Sequence, residues 1–536
     1  MNKPAELLIT NAHIFTADNR KPFAEALAVS GNRIVFAGSR SEAAAWKGPG
    51  TKVMDGGGKS LVPGFIDSHF HMLFGALNLD GMQLSGVETF EELAQSVRHY
   101  AAEHPEDAWL VGNGLRYNLG PGRTPLNRTY LDALVPDRPI FISAYDVHTS
   151  WANTLALKMA GIFEGGEVGA NSQIMLDEHG EATGELRETG ASKPVSDLLP
   201  KPDGSRKRDL LQKALRLTAS LGVTSVHNMD GGAETAQLYA ALEDLDQLTC
   251  RIYLPFSVTP ETPFEALEKE ALLFKHEYAS DRLRGGSVKF FMDGVIESYT
   301  GLLVDPYSDD PATHGAANYA IEHYQRMVTE ADRLGLQIFT HAVGDLGVRR
   351  VLDACQAAAE INGRRDSRHR VEHIELVHPA DLARFKELGV LASMQPLHCP
   401  MTLEDGDVWP ARVGTERWQY SFAWRTLRDA GARLVFGSDW PVVTQNPLRG
   451  LSNAVNRLPW VEGLPHQNQT LGETLLAYTS EAAYGEFQEE QKGQLKPGYL
   501  ADMVLLSENI FEIPPEKLAE VHPLWTMMDG TLVYES

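Results

Sequence analysis

The chain has 536 residues, of which 43% are hydrophobic and 22% charged, an ordinary globular composition with enough apolar material for a sizeable core. A formal net charge of −24 argues against nucleic acid or an anionic membrane as partner, since both reward Lys and Arg, and the acidity reads as solubility. Three scattered cysteines, Cys250, Cys355 and Cys399, form no C-x-x-C, which excludes a disulfide framework or a zinc knuckle and suits a reducing compartment.

The first stretch, "MNKPAELLITNAHIFTADN", lacks the apolar centre of a signal peptide. No segment approaches the roughly 18 apolar residues of a membrane span, so the expected location is the cytoplasm. Residues 5–62 then alternate apolar and polar positions between Gly and Asn turns, which predicts a small β module. The far end has the same texture: "ADMVLLSEN" and "WTMMDGTLVYES" follow the turn "LKPGYLAD". The two ends are read as one β-sandwich-like domain, residues 1–62 with 490–536.

Between them, residues 63–489 alternate apolar strand-like runs with helical patterns, the signature of βα units around a parallel sheet. The runs are 64–72, 223–229, 250–258, 286–294, 336–345, 369–376, 389–396 and 433–441. Eight is the number that closes an α/β (β/α)8 TIM barrel. Helices are expected at "RKRDLLQKALRLTASLG", "EHYQRMVTEADRLG" and "PADLARFKELG", the last two ending in a Gly suited to a C-cap. Two extra strand-like runs, 108–114 and 138–148, fall between the first and second barrel strands and are assigned to an insertion at about 75–205. A long excursion there sits over the catalytic face and shapes the pocket.

Several strands end in chemistry-bearing residues. His69 and His71 in "GFIDSHFHM" share one strand face. Lys289 stands in "SVKFFMDG", His341 in "FTHAVGD", His373 in "VEHIEL" and Asp439 in "FGSDWP". Groups at the C-terminal ends of barrel strands meet around one axis, however far apart they are in sequence. Imidazole and carboxylate suit zinc and similar divalent ions, which lower the pKa of bound water toward about 7. Asp439 is the candidate to take a proton from that water and pass it to a leaving group. Lys289, with apolar flanks, is either paired with Asp293 or Glu297, or is a neutral amine that carbon dioxide converts to a metal-bridging carbamate.

Assembled in order, "GFIDSHFH", "SVKFFMDG", "THAVGDLG", "RVEHIEL", "FGSDWP" and "GQLKPGYLADMVLL" resemble the amidohydrolase superfamily, in particular its YtcJ-like branch, which is similar to N-substituted formamide deformylase. The resemblance implies a barrel with a split β-sandwich, a centre of one or two divalent ions, taken as zinc, and hydrolysis of an amide or formamide C–N bond. It implies His69, His71 and Asp439 on the more buried metal and His341 and His373 on the second. Carboxylated Lys289 would bridge the two, and Asp439 would be both ligand and proton shuttle.

Around this centre, Tyr145 and His148 in "SAYDVHTSWANTLAL" and Trp440 are expected to line the substrate pocket. His227 and Asp345 are expected to support ligands from behind. Glu372, next to His373, is expected to point into the barrel wall, because neighbours on a strand face opposite ways. Residues 294–309 form a Gly- and Tyr-containing loop over the site. The competing activities are a mononuclear deaminase, a cyclic amide or lactone hydrolase, and a non-catalytic regulatory barrel. The expected partner is a small-molecule substrate, with a homodimer as the default assembly.

Overall fold

The computed structural model describes residues 3–169, 171–403 and 408–536. Its centre is one sheet of eight parallel strands, in chain order β1 (Phe65–Phe70), β2 (Val223–Asn228), β3 (Arg251–Ser257), β4 (Leu283–Phe291), β5 (Gln337–Ala342), β6 (Arg370–His373), β7 (Leu391–Met394) and β8 (Leu434–Phe436). Each strand pairs with the next in parallel register; seven of the eight fall within the runs expected from the sequence, and β4 begins three residues before its run. The fold is the (β/α)8 barrel.

No regular ladder joins β8 back to β1; side chains and single backbone bonds make the closure instead. One Asp67 oxygen accepts the Ser438 N–H at 2.9 Å and the His69 N–H at 3.1 Å. The Asp439 N–H donates to the His69 carbonyl at 2.7 Å, and the His71 N–H to that of Trp440 at 3.0 Å. Gly437 permits this approach, since a Cβ there would lie 2.4 Å from the His69 nitrogen. Two residues that carry the centre's chemistry are thus fixed by the seam that shuts the barrel.

Outward strand positions meet the helical layer. Phe290 packs edge-on to Tyr319 and Tyr324. The helix Ile321–Arg333 buries Tyr324, Met327, Val328 and Ala331, the i, i+3, i+4, i+7 stripe of an amphipathic helix. Gly335 just beyond it and Gly389 after Arg384–Leu388 take left-handed φ values of 69° and 68°, which end those helices. Each large apolar side chain buried this way contributes about 1.5–3 kcal/mol.

The two termini build one sheet. Strands Leu7–Phe15, Phe23–Ser30, Arg33–Gly38, Lys52–Asp55 and Ser60–Pro63 join Met503–Leu506, Pro523–Met528 and Thr531–Glu535, with Leu61 opposite Leu505 across the antiparallel junction. The eight strands are continuous rather than two separate sheets, and they fold over a shared core that includes Ile9, Leu27, Met503 and Trp525. Arg251 at the start of β3 ties this sheet to the barrel through a bidentate pair with Asp502, at 2.8 and 3.0 Å.

Between β1 and β2 lies a third sheet of six strands, from Met82–Gln83 to Ala182–Arg187. It contains the two extra runs, now Leu110–Leu115 and Ile140–Ala144, and four strands that sequence patterning did not mark. Those four are two to six residues long, too short for an alternation to register. Helices cover the sheet on separate cores, one around Leu93, Val97 and Leu131 and another around Leu157 and Leu186. No helix among the described residues is long and apolar enough to cross a membrane.

Candidate active site

The carboxylate of Asp439 is the hub of the site, just past β8. Its Oδ1 lies 3.3 Å from His69 Nε2 and 3.2 Å from His71 Nε2. Its Oδ2 faces His373 Nδ1 at 3.9 Å and His398 Nε2 at 3.7 Å. The His341 ring stands 4.4 Å from that of His373, and its Nε2 bonds the Gly294 carbonyl at 3.0 Å. Two groups here have metal-ligating spacing: His69, His71 and Asp439, and His373, His398 and Asp439.

Backbone conformation aims these groups. His373 ends β6 with φ of 78° and Asp439 has φ of 62°, both left-handed. At His373 the twist breaks strand alternation, so Glu372 and His373 face the centre in succession. Glu372 therefore does not point into the barrel wall: its carboxylate is fully buried and accepts from His69 Nδ1 at 2.7 Å. Arg370 pairs with it at 2.8 Å and in turn donates to His227 Nδ1 at 2.7 Å.

The donor set fits a divalent cation. Metal ligands must be deprotonated. Burial, then the charges of neighbouring groups, drives His341 and His373 well below the ordinary imidazole range, leaving lone pairs free. Burial alone would raise Asp439, but His69, His71 and His373 hold it well below the usual carboxylate range, so it is ionised. Burial works against the His71 proton too, yet Asp230, 3.1 Å from Nδ1, and Asp439 bring its pKa up to about 9. Two carboxylates thus hold a positive charge where a cation would supply one. A carboxylate behind each of His69 and His71 also sets the Nε2 lone pair toward the hub, as carboxylate–histidine–metal triads do.

Lys289 stands inside the barrel on β4, fully buried, and Nζ has no hydrogen-bond partner among the described residues. It pairs with neither Asp293 nor Glu297. Asp293 accepts three backbone N–H groups, from Leu302, Val343 and Gly344, and Glu297 accepts from Tyr145. Burial pushes the amine down to about 8, with Glu372 and Asp439 opposing. A buried, partly neutral amine beside the hub fits carbamate formation.

A cavity of about 950 Å³ opens above the hub, between the barrel mouth and the inserted sheet. His69, His71, His341, His373 and Asp439 line its floor, with apolar residues such as Phe74 and Phe141 on its walls. A second cavity of about 100 Å³ lies against the same hub, lined by Tyr145, Glu297, Glu375 and His398.

The amidohydrolase family model matches residues 52–534. The chain belongs to the amidohydrolase family. Relatives include the protein LONG AFTER FAR-RED 3 of Arabidopsis thaliana, 32% identical over 95% of this chain and 88% of its own length. The putative amidohydrolase YtcJ of Bacillus subtilis is 27% identical over 91% of each chain. N-substituted formamide deformylase of Arthrobacter pascens is 27% identical over 100% of this chain and 99% of its own. Among solved structures, a metal-dependent hydrolase from Pyrococcus furiosus superposes with a TM-score of 0.71 at 27% identity, over 93% of this chain and 98% of that one.

Other expected positions of this amidohydrolase divide. Tyr145 lines the small cavity, and its hydroxyl donates to Glu297 at 3.0 Å. His148 lines both cavities. Burial opposes its proton, but Glu188, 2.8 Å away, and Asp146 keep the imidazole up at about 9. Trp440 is corrected: its ring packs on Phe70 and Gly75 instead of lining either cavity, because the left-handed turn at Asp439 sends the two neighbours apart. Asp345 is corrected too: it accepts the backbone N–H groups of Val304 and Leu346, which fastens the loop after β4 and orients no ligand. His227 reaches the centre only through Arg370 and Glu372, with Glu486 3.2 Å from its other nitrogen. Loop 294–309 contributes Val295 and Glu297 to the small cavity.

Sequence reasoning missed Asp230, Arg370, Glu375 and His398. Asp230 comes two residues after β2 ends and could have been found by the strand-end rule. His398 comes four residues after β7 ends at Met394, in the turn Pro396–His398, where strand periodicity no longer says which way a side chain points.

Proposed function

We propose that the protein is a metal-dependent hydrolase that cleaves the C–N bond of a small-molecule amide, with N-substituted formamides as the leading class. The observation that carries this reading is the hub: one buried carboxylate faced on both oxygens by imidazoles, at the floor of a 950 Å³ cavity. His69, His71 and Asp439 would hold one ion, His341 and His373 with a carboxylated Lys289 would serve a second, and zinc suits these nitrogen and oxygen donors. Such an ion, when bound, polarises a carbonyl oxygen and makes water nucleophilic near neutral pH.

The chain's own groups do the rest. The Asp439 carboxylate, ionised in the resting site, takes a proton from the attacking water and returns it to the departing amine nitrogen. Glu372 and Asp230 keep the His69 and His71 rings in one orientation. The cavity walls exclude bulk water and position the carbonyl carbon above Asp439. Unequal cavities, about 950 and 100 Å³, suit an amide with a bulky nitrogen substituent and a small acyl group. The similarity to a formamide deformylase supports the same substrate class.

The test is a panel of N-substituted formamides, N-acyl amino acids, lactones and aminoheterocycles, run on metal-loaded and chelator-treated protein. Formamide hydrolysis that disappears on chelation, returns with Zn²⁺ and falls about 10²–10⁴-fold in Asp439→Asn is expected. Turnover of only lactones or aminoheterocycles, or hydrolysis that survives verified metal removal, overturns the proposal.

A further inference from the structure

His398 was not among the positions that the sequence motifs marked, yet it faces the hub between two carboxylates, in a looser version of the arrangement around His69 and His71. Each of those imidazoles turns Nε2 to Asp439 Oδ1, at 3.3 and 3.2 Å, and Nδ1 to a carboxylate, Glu372 at 2.7 Å or Asp230 at 3.1 Å. His398 repeats the arrangement on the other oxygen. Its Nε2 is 3.7 Å from Asp439 Oδ2, and its Nδ1 faces Glu375 Oε1 at 3.8 Å. Glu375 is itself anchored by the Trp409 indole N–H at 2.7 Å. The His398 ring lies nearly parallel to that of His373, at 17° with centroids 5.8 Å apart, so both rings address the same oxygen.

The His398 Nε2 atom is buried and has no hydrogen-bond partner among the described residues. Glu375, 3.8 Å from the far nitrogen, draws the ring proton to that side by charge and leaves Nε2 as the nitrogen turned to the hub. Spacing agrees with a ligand role. Metal–nitrogen bonds of about 2.0–2.1 Å in a tetrahedron place neighbouring donors about 3.3 Å apart. The hub separations run from 3.2 to 3.9 Å.

We infer that His398 is a metal ligand, holding a divalent cation of the zinc type together with His373 and Asp439. Asp439 would then contribute to both ligand sets, since its Oδ1 faces His69 and His71 and its Oδ2 faces His373 and His398. His341, whose Nε2 donates to the Gly294 carbonyl and leaves its Nδ1 lone pair free, would join that second ligand set. This assignment rests on the proposed metal-dependent function and places a ligand on the loop after β7.

Full-length protein is stripped, loaded with Co²⁺, and assayed by equilibrium dialysis and visible absorption, beside His398→Ala, His398→Gln and His341→Asn. The parent is expected to bind two equivalents. Both His398 variants are expected to lose one, with affinity at that site down more than the 10–100-fold typical of losing an outer hydrogen-bond partner. Unchanged stoichiometry and affinity in the His398 variants, with loss only in His341→Asn, overturns the assignment but leaves the metal-dependent reading intact. A parent chain that binds no cation overturns both. Anomalous diffraction from Co²⁺-loaded parent crystals decides the matter independently of variant folding: a peak within about 2.3 Å of His398 Nε2 supports the ligand, and one beyond 3 Å overturns it.

Discussion

Glu372→Gln removes one negative charge from a fully buried position without changing the side chain's shape. Two partners feel the loss. The contact to His69 Nδ1, 2.7 Å, changes from charge-assisted to neutral, a cost of about 1 kcal/mol. Arg370, 2.8 Å away and fully buried, loses its counter-ion, and breaking a buried pair costs about 3–5 kcal/mol. Arg370 keeps the Ser68 carbonyl, Ser393 Oγ and His227 Nδ1 as acceptors, which puts its share at the low end. The sum is about 4 kcal/mol, a large part of a typical stability of about 5–15 kcal/mol. His69 also becomes a poorer ligand, so metal affinity is expected to fall about 10–100-fold. Urea unfolding of the metal-free chain and Co²⁺ titration of the folded chain measure the two effects separately. Adding Arg370→Met to Glu372→Gln removes both charges and is expected to recover at least half of the lost stability. Unfolding within about 0.5 kcal/mol of the parent, with Co²⁺ affinity within twofold, would refute the account of Glu372 as the group that holds His69.

Burial pushes His227 down to about 4, against the pull of Glu486. The unfolded chain, at about 6.5, therefore takes up this proton first, so the contribution is whole above pH 6.5 and is lost as pH falls toward 4, by about 3 kcal/mol. His227→Gln should flatten the stability curve in that window; an unchanged acid limb would contradict the linkage. Lys289 should take up ¹³C-bicarbonate as a slowly exchanging carbonyl resonance in metal-loaded protein, absent in Lys289→Met; equal spectra would rule out the carbamate. Gly437→Ala places a Cβ against the His69 nitrogen and should cost about 1–3 kcal/mol with weakened metal binding, read by the same urea and Co²⁺ titrations. Wild-type behaviour in both would mean that the barrel seam does not constrain His69.

The barrel was legible because buried parallel strands are nearly continuous apolar runs, and eight of them lie in order between residues 64 and 441. His69, His71, His341, His373 and Asp439 stand at or just past the ends of these runs, where a barrel gathers its chemistry, and the structure brings them together. The two termini share one texture in the sequence, and the structure pairs their strands in a single continuous sheet that this texture does not specify. Local order thus determined the fold class and the strand-end residues that meet at its centre. Tertiary structure alone decided how they face one another. A left-handed turn at His373 overrode strand alternation and brought its ring to the same side as Glu372, and one at Asp439 precedes Trp440, whose ring packs on Phe70 and Gly75. Partners such as Asp230 for His71 and Glu375 for His398 come from different segments, and no periodicity relates them. A side chain's direction beyond a strand end depends on the packing of elements distant in sequence, and that is why His398 came to light only in three dimensions.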